Sequence, residues 1–110
     1  MTEHLEPPAH LALETAGWWR VVVTEFELER HHLRLLRLAC ESWDRGQQAR
    51  EILDRDGLTT GTESGGLKAH PCIGVERDSR LAFARLLREL DLDTGPPPDR
   101  TRPPALRSNR

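Results

Sequence analysis

Tyrosine is absent, cysteine occurs twice, and only one of the 16 basic residues of this 110-residue chain, Lys68, is a lysine. Cys40 and Cys72 are too few for the disulfide framework that a small secreted domain needs, so both are expected as reduced thiols. Aromatic residues make up 5% of the chain, so a core of this size has little bulky apolar surface and gains from self-association. No run approaches the roughly 20 apolar residues of a membrane span, and the opening MTEHLEPPAH has neither the basic nor the apolar region of a secretory signal. The chain therefore reads as cytoplasmic. Catalytic signatures are missing too: there is no phosphate-binding P-loop, no dinucleotide GxGxxG, no GxSxG elbow, no HExxH and no paired CxxC, and no cofactor is expected.

What is present divides by composition. Residues 1–15 hold three acids and no Lys or Arg, and residues 96–110 hold four Arg against one Asp, around a central part near neutrality. Pro7-Pro8 interrupts the first segment, and Pro96-Pro97-Pro98 with Pro103-Pro104 interrupts the last. Three regions follow: a flexible acidic segment over 1–15, a folded helical domain over 16–92, and a flexible Pro/Arg-rich tail over 93–110.

The fold class expected is mainly α, a three-helix core with a small β-hairpin between the second and third helices and disordered termini. The first, short helix begins at Gly17. Trp18, Trp19, Val22, Val23 and Phe26 recur at helical spacing, which outweighs the β-branched run Val21 to Thr24. A longer helix spans about Glu29 to Asp56 and carries two apolar stripes, Leu33-Leu36-Cys40-Trp43 and Leu35-Leu38-Ala39-Ser42-Ala49-Ile52-Leu53, which imply two packing partners. Asp56-Gly57 supplies its stop. Leu58-Thr59-Thr60 and Leu67-Lys68-Ala69 flank a turn-rich Gly61 to Gly66 and read as the hairpin. His70-Pro71 opens the third helix, with Val75, Ser79, Ala82, Phe83, Leu86, Leu87 and Leu90 on its apolar face and the pairs Glu76–Arg80 and Arg85–Glu89 on the other.

Candidate functional residues fall into four groups. Arg30, Arg34 and Arg37 project from one side of the long helix near its start, with Arg20 on the preceding helix, as a stripe suited to phosphates. The competing reading is a solvated face neutralised by Glu27 and Glu41. Ala39, Ser42, Gly46 and Ala49 step by three or four along the long helix and let another helix approach closely, which suggests packing between subunits. Trp18, Trp19 and Trp43 join them as interface candidates, because one of two adjacent tryptophans belongs to the core and the other is left for a neighbour. Arg100, Arg102, Arg107 and Arg110 lie on the acid-poor tail, where they suit nucleic acid or a protein partner. His31, His32, Cys40, His70 and Cys72 include zinc-ligand types, but His32 and Cys40 lie two turns apart and His70-Pro71-Cys72 is not a usual ligand spacing, so no metal site is expected.

The order of these features resembles a family. Trp18-Trp19, Leu35-Leu36-Arg37-Leu38-Ala39-Cys40, Ile52-Leu53 through Gly57, Lys68-Ala69-His70-Pro71, and Glu76-Arg77-Asp78-Ser79-Arg80-Leu81-Ala82-Phe83 running to Leu90 are similar to the small subunits of tailed-bacteriophage terminases over roughly residues 18–92. The three prolines between Leu92 and Arg102 stretch the turn that commonly follows the last helix in that family. The resemblance implies a non-catalytic factor in the host cell cytoplasm. Such a factor assembles as an oligomeric ring on double-stranded viral DNA at the packaging-start site of the concatemer. It also recruits and regulates the large terminase subunit, which carries the ATPase and nuclease. Outside that resemblance, a small helical protein–protein adaptor or an antitoxin-like regulator remains the alternative.

Overall fold

The structure, a computed structural model, describes residues 5–92. Three helices and one hairpin follow in the order α1 (Leu13–Glu25), α2 (Arg30–Asp56), β1 (Thr59–Gly61), β2 (Leu67–Ala69) and α3 (Cys72–Leu90). This is the mainly helical architecture expected, with a two-stranded antiparallel sheet between the second and third helices.

The 27 residues of α2 form its long axis, roughly 40 Å at 1.5 Å per residue. Its start is fixed by a reciprocal capping box: the Glu29 side chain accepts from the His32 backbone N–H, and His32 Nδ1 accepts from the Glu29 N–H at 3.1 Å. A histidine thus fills the place usually taken by Glu or Gln. Its end is fixed by Gly57, whose φ of 86° an L side chain rarely adopts and whose N–H donates to Leu53 O at 2.7 Å. The chain then turns into the hairpin, where Thr59, Thr60 and Gly61 face Ala69, Lys68 and Leu67. Its turn is closed by Thr62, whose N–H donates to Gly66 O and whose Oγ1 accepts from the Gly66 N–H, each at 2.9 Å. Pro71 stands immediately before α3, already in helical conformation, one position outside the helix whose first turn it was expected to enter.

The first helix begins four residues before the expected Gly17. Residues 5–12, expected within a flexible acidic segment, make defined contacts: Leu11 is buried, Trp19 Nε1 donates to Leu5 O at 2.6 Å, and His10 Nε2 donates to Glu41 Oε2 at 2.8 Å. The helix start is organised from outside, because Asp44 of α2 accepts from the Ala12 N–H at 2.8 Å and from Thr15 Oγ1. Residues 1–4 and the whole tail over 93–110 lie outside the described residues.

The core sits where α1 crosses the α2–α3 pair. Leu11, Ala16, Trp19 and Val22 meet Leu36, Ala39 and Cys40 of α2 and Leu90 of α3. Leu36 and Cys40 are fully buried there. The hairpin end is different: both strands are largely exposed, and Leu58 and Leu67 face solvent.

Candidate functional site

The basic stripe at the start of α2 is the first surface to consider. Arg30 and Arg34 are exposed, and among the described residues neither comes within ion-pair distance of a carboxylate; Arg20 on α1 is likewise exposed and unpaired. Arg37 differs, since its Nε donates to Glu41 Oε2 at 3.0 Å. That contact, with His10 as a second donor, holds the Glu41 carboxyl below its ordinary value. The neutralised face considered from sequence is therefore half realised: Glu41 takes up Arg37, whereas Glu27 pairs with none of these arginines. Arg45 was missed. It is exposed, carries no ion pair among the described residues, and lies eleven residues, or three turns, beyond Arg34 on the same face of α2. A scan carried past Arg37 at helical period finds it.

The small residues of α2 need correction as candidates for contact between subunits. Ala39 and Ala49 are buried inside the monomer, and a Cβ placed on Gly46 would lie 3.3 Å from Ser79 Cβ of α3. The close approach predicted from their spacing is made by a helix of the same chain. Ser42 stays at the edge of this seam. With Leu38, Glu41 and Arg45 it forms one wall of an open groove of about 300 Å³, opposite Asp78, Ser79 and Ala82 of α3. Leu38 is 51% exposed.

The tryptophans separate. Trp19 is a buried core residue with its indole N–H satisfied, so it is removed from the interface candidates. Trp18 and Trp43 instead flank Phe83, with ring centroids 6.0 and 5.1 Å from it and ring planes tilted by 56° and 54°. Three helices thus each contribute one ring to a recess of about 370 Å³, completed by Glu14 and Thr15.

The five His and Cys residues weighed for zinc do not converge. His31 and His32 sit together at the start of α2, with ring centroids 4.1 Å apart, while Cys40 lies in the core, where burial first and then Asp44 and Glu41 push its thiol up to about 12. His70 is the hinge pin of the hairpin end. Its Nδ1 accepts from the Cys72 N–H at 3.0 Å, which leaves Nε2–H to donate to Asp56 Oδ2, also at 3.0 Å. The Asp56 carboxyl is held well below the usual carboxylate range, by Arg55 first and His70 second. This joins the end of α2 to the start of α3. Among the described residues no group of three His, Cys, Asp or Glu side chains is placed to hold a metal ion. No helix among them is long and apolar enough to cross a membrane.

The arrangement is that of a small α-helical domain with a hairpin arm, exposed arginines and an aromatic recess. A family model described as phage terminase, small subunit, matches residues 17–104, and the chain belongs to that family. The match spans both tryptophans of α1, the whole of α2, the hairpin, α3 and the proline-rich continuation. No curated protein matches the chain. No solved structure matches it either.

Proposed function

We propose that this terminase small subunit works as a ring that holds double-stranded viral DNA at the packaging-start site and presents it to the large terminase subunit, which carries the ATPase and nuclease. The observation that carries this reading is the row Arg30, Arg34 and Arg45, exposed along one side of α2 without acidic partners among the described residues. The chain as a whole has a formal charge of −2, so one subunit offers too few phosphate contacts for tight binding. Repeating the row around a ring multiplies them without making the monomer basic. Arg20, exposed on α1, is assigned to the same DNA contact. Arg37, neutralised by Glu41, contributes less.

For assembly the groove between α2 and α3 is the better candidate, because the half-exposed Leu38 and Ala82 leave apolar surface there that no other described residue covers, with Arg45 on its wall at the border with the arginine row. Of the tail arginines Arg100, Arg102, Arg107 and Arg110, the outer pair, Arg107 and Arg110, is assigned to the large subunit or to DNA. In this reading the small subunit performs no chemistry itself.

The test combines mass and salt dependence. Light scattering coupled to size exclusion should show a discrete multimer rather than the 12.5 kDa chain. DNA binding by that multimer should weaken linearly in log salt, and Arg30→Ala with Arg34→Ala should flatten the slope by roughly 0.9 for each phosphate that is no longer neutralised. Arg37→Ala should change it least. An unchanged affinity and slope in the double variant would remove these arginines from the DNA surface, and a monomer at all concentrations would favour the adaptor reading.

A further inference from the structure

The aromatic recess between the three helices is not used by the DNA-packaging reading. Trp18, Trp43 and Phe83 line it, Glu14 stands at its rim, and Trp43 remains 42% exposed. The tilts of 54° to 56° splay the two indoles about the phenyl ring, so that the recess is walled by aromatic surface and open to solvent. Surfaces of this kind take up proline-rich chain, because a proline run is extended beforehand and presents flat apolar rings that stack on aromatic faces at low entropic cost.

The chain itself supplies such a segment. Leu92 packs against the core at the end of α3, and the sequence continues as Asp93-Thr94-Gly95-Pro96-Pro97-Pro98-Asp99-Arg100-Thr101-Arg102-Pro103-Pro104. Phe83 lies nine residues before Leu92 on α3, about 13 Å back along the helix axis. Four or five residues of extended chain, at roughly 3.3 Å each, cover that distance, so that the linker Asp93-Thr94-Gly95 is long enough to bring Pro96 to Pro98 level with the recess. The charges match as well, since the Glu14 carboxylate at the rim meets a segment that is net basic, Arg100 and Arg102 outnumbering Asp99. We propose that residues 95–104 of the same chain dock across Trp18, Trp43 and Phe83, leaving Arg107 and Arg110 beyond the contact. This does not depend on the protein binding DNA.

The three indole N–H signals of the full-length chain provide the test by nuclear magnetic resonance, because Trp19, bonded to Leu5 O in the core, is an internal reference. The triple variant Pro96→Ser, Pro97→Ser, Pro98→Ser alters only residues beyond α3. It should shift the Trp18 and Trp43 signals, leave Trp19 in place, and raise acrylamide quenching of tryptophan fluorescence roughly two-fold as the rings lose their cover. Glu14→Lys should produce a smaller shift of the same pair, diminished at high salt. Identical spectra for the wild-type chain and the triple variant would overturn the proposal. Shifts that vanish on dilution together with self-association would also overturn it, since the cleft would then be filled by a second copy.

Discussion

The two ends of the α2–α3 pair are held by different physics. At the α1 end Leu36, Ala39, Cys40, Trp19, Val22 and Leu90 exclude water from one apolar cluster. At the hairpin end full burial among the described residues is confined to Ala49 and His70, and the ties between elements are polar: Asp56 of α2 to His70, and Arg50 of α2 to Glu76 of α3, which Arg80 of the same helix also holds. Apolar burial contributes with every methylene, while exposed ion pairs contribute little each. Stability is therefore concentrated where α1 crosses, and the hairpin is an arm attached by directional contacts.

Removing the apolar end should break this contrast most severely. Leu36→Ala empties a fully buried site and should cost about 2–5 kcal/mol, read as a fall in the urea midpoint. Melting of the α1 packing together with the global transition would match the contrast, whereas a change limited to the hairpin would contradict it. Gly46→Val acts between the two ends. Its branched side chain meets Ser79 at a position already tight for a Cβ, and should cost about 1–3 kcal/mol while spreading α2 from α3.

Acid gives the smallest effect and the sharpest comparison. Glu76, held low by Arg80 first and Arg50 second, and Asp56, held low by Arg55 first and His70 second, both ionise more readily folded than unfolded. Their contribution is present above the ordinary values of 4.5 and 3.8 and is lost as pH falls below them through the folded values. At the other end Glu41 is lowered by Arg37 and His10, but there the apolar cluster remains. Hydrogen exchange followed from pH 7 down to about 2 should show protection falling first across residues 56–76. Uniform loss along the chain would mean that the ends are not separable.

Much of this was legible in local sequence, and what was not has one common cause. The bounds of α2, the stop at Gly57, the hairpin and the opening of α3 after His70-Pro71 all follow from periodicity and turn residues within a few positions. The start of α1 did not, because Ala12 has no side chain that can cap and the acceptor comes from Asp44, 32 residues away. Likewise the steps of Ala39, Ser42, Gly46 and Ala49 announce a close approach without saying whose helix approaches; Ser79 answers that only in three dimensions. For the candidate site, the Arg37–Glu41 pair is readable at i,i+4 spacing, while His10 joining it is not. The aromatic recess was invisible for the same reason, since each helix contributes a single ring.

The narrow seam at Gly46 also offers a covalent handle. The 3.3 Å between a Cβ there and Ser79 Cβ falls only slightly short of the roughly 3.5–4.5 Å spanned by a disulfide. Cysteines at both positions, with Cys40 sequestered in the core and the half-buried Cys72 replaced through Cys72→Ser, would clamp α2 to α3 and close a loop of about 33 residues, a constraint on the unfolded chain worth about 3–4 kcal/mol. A subunit locked in this way, and released by a reductant, reports whether the two long helices must slide past each other when copies of the chain come together.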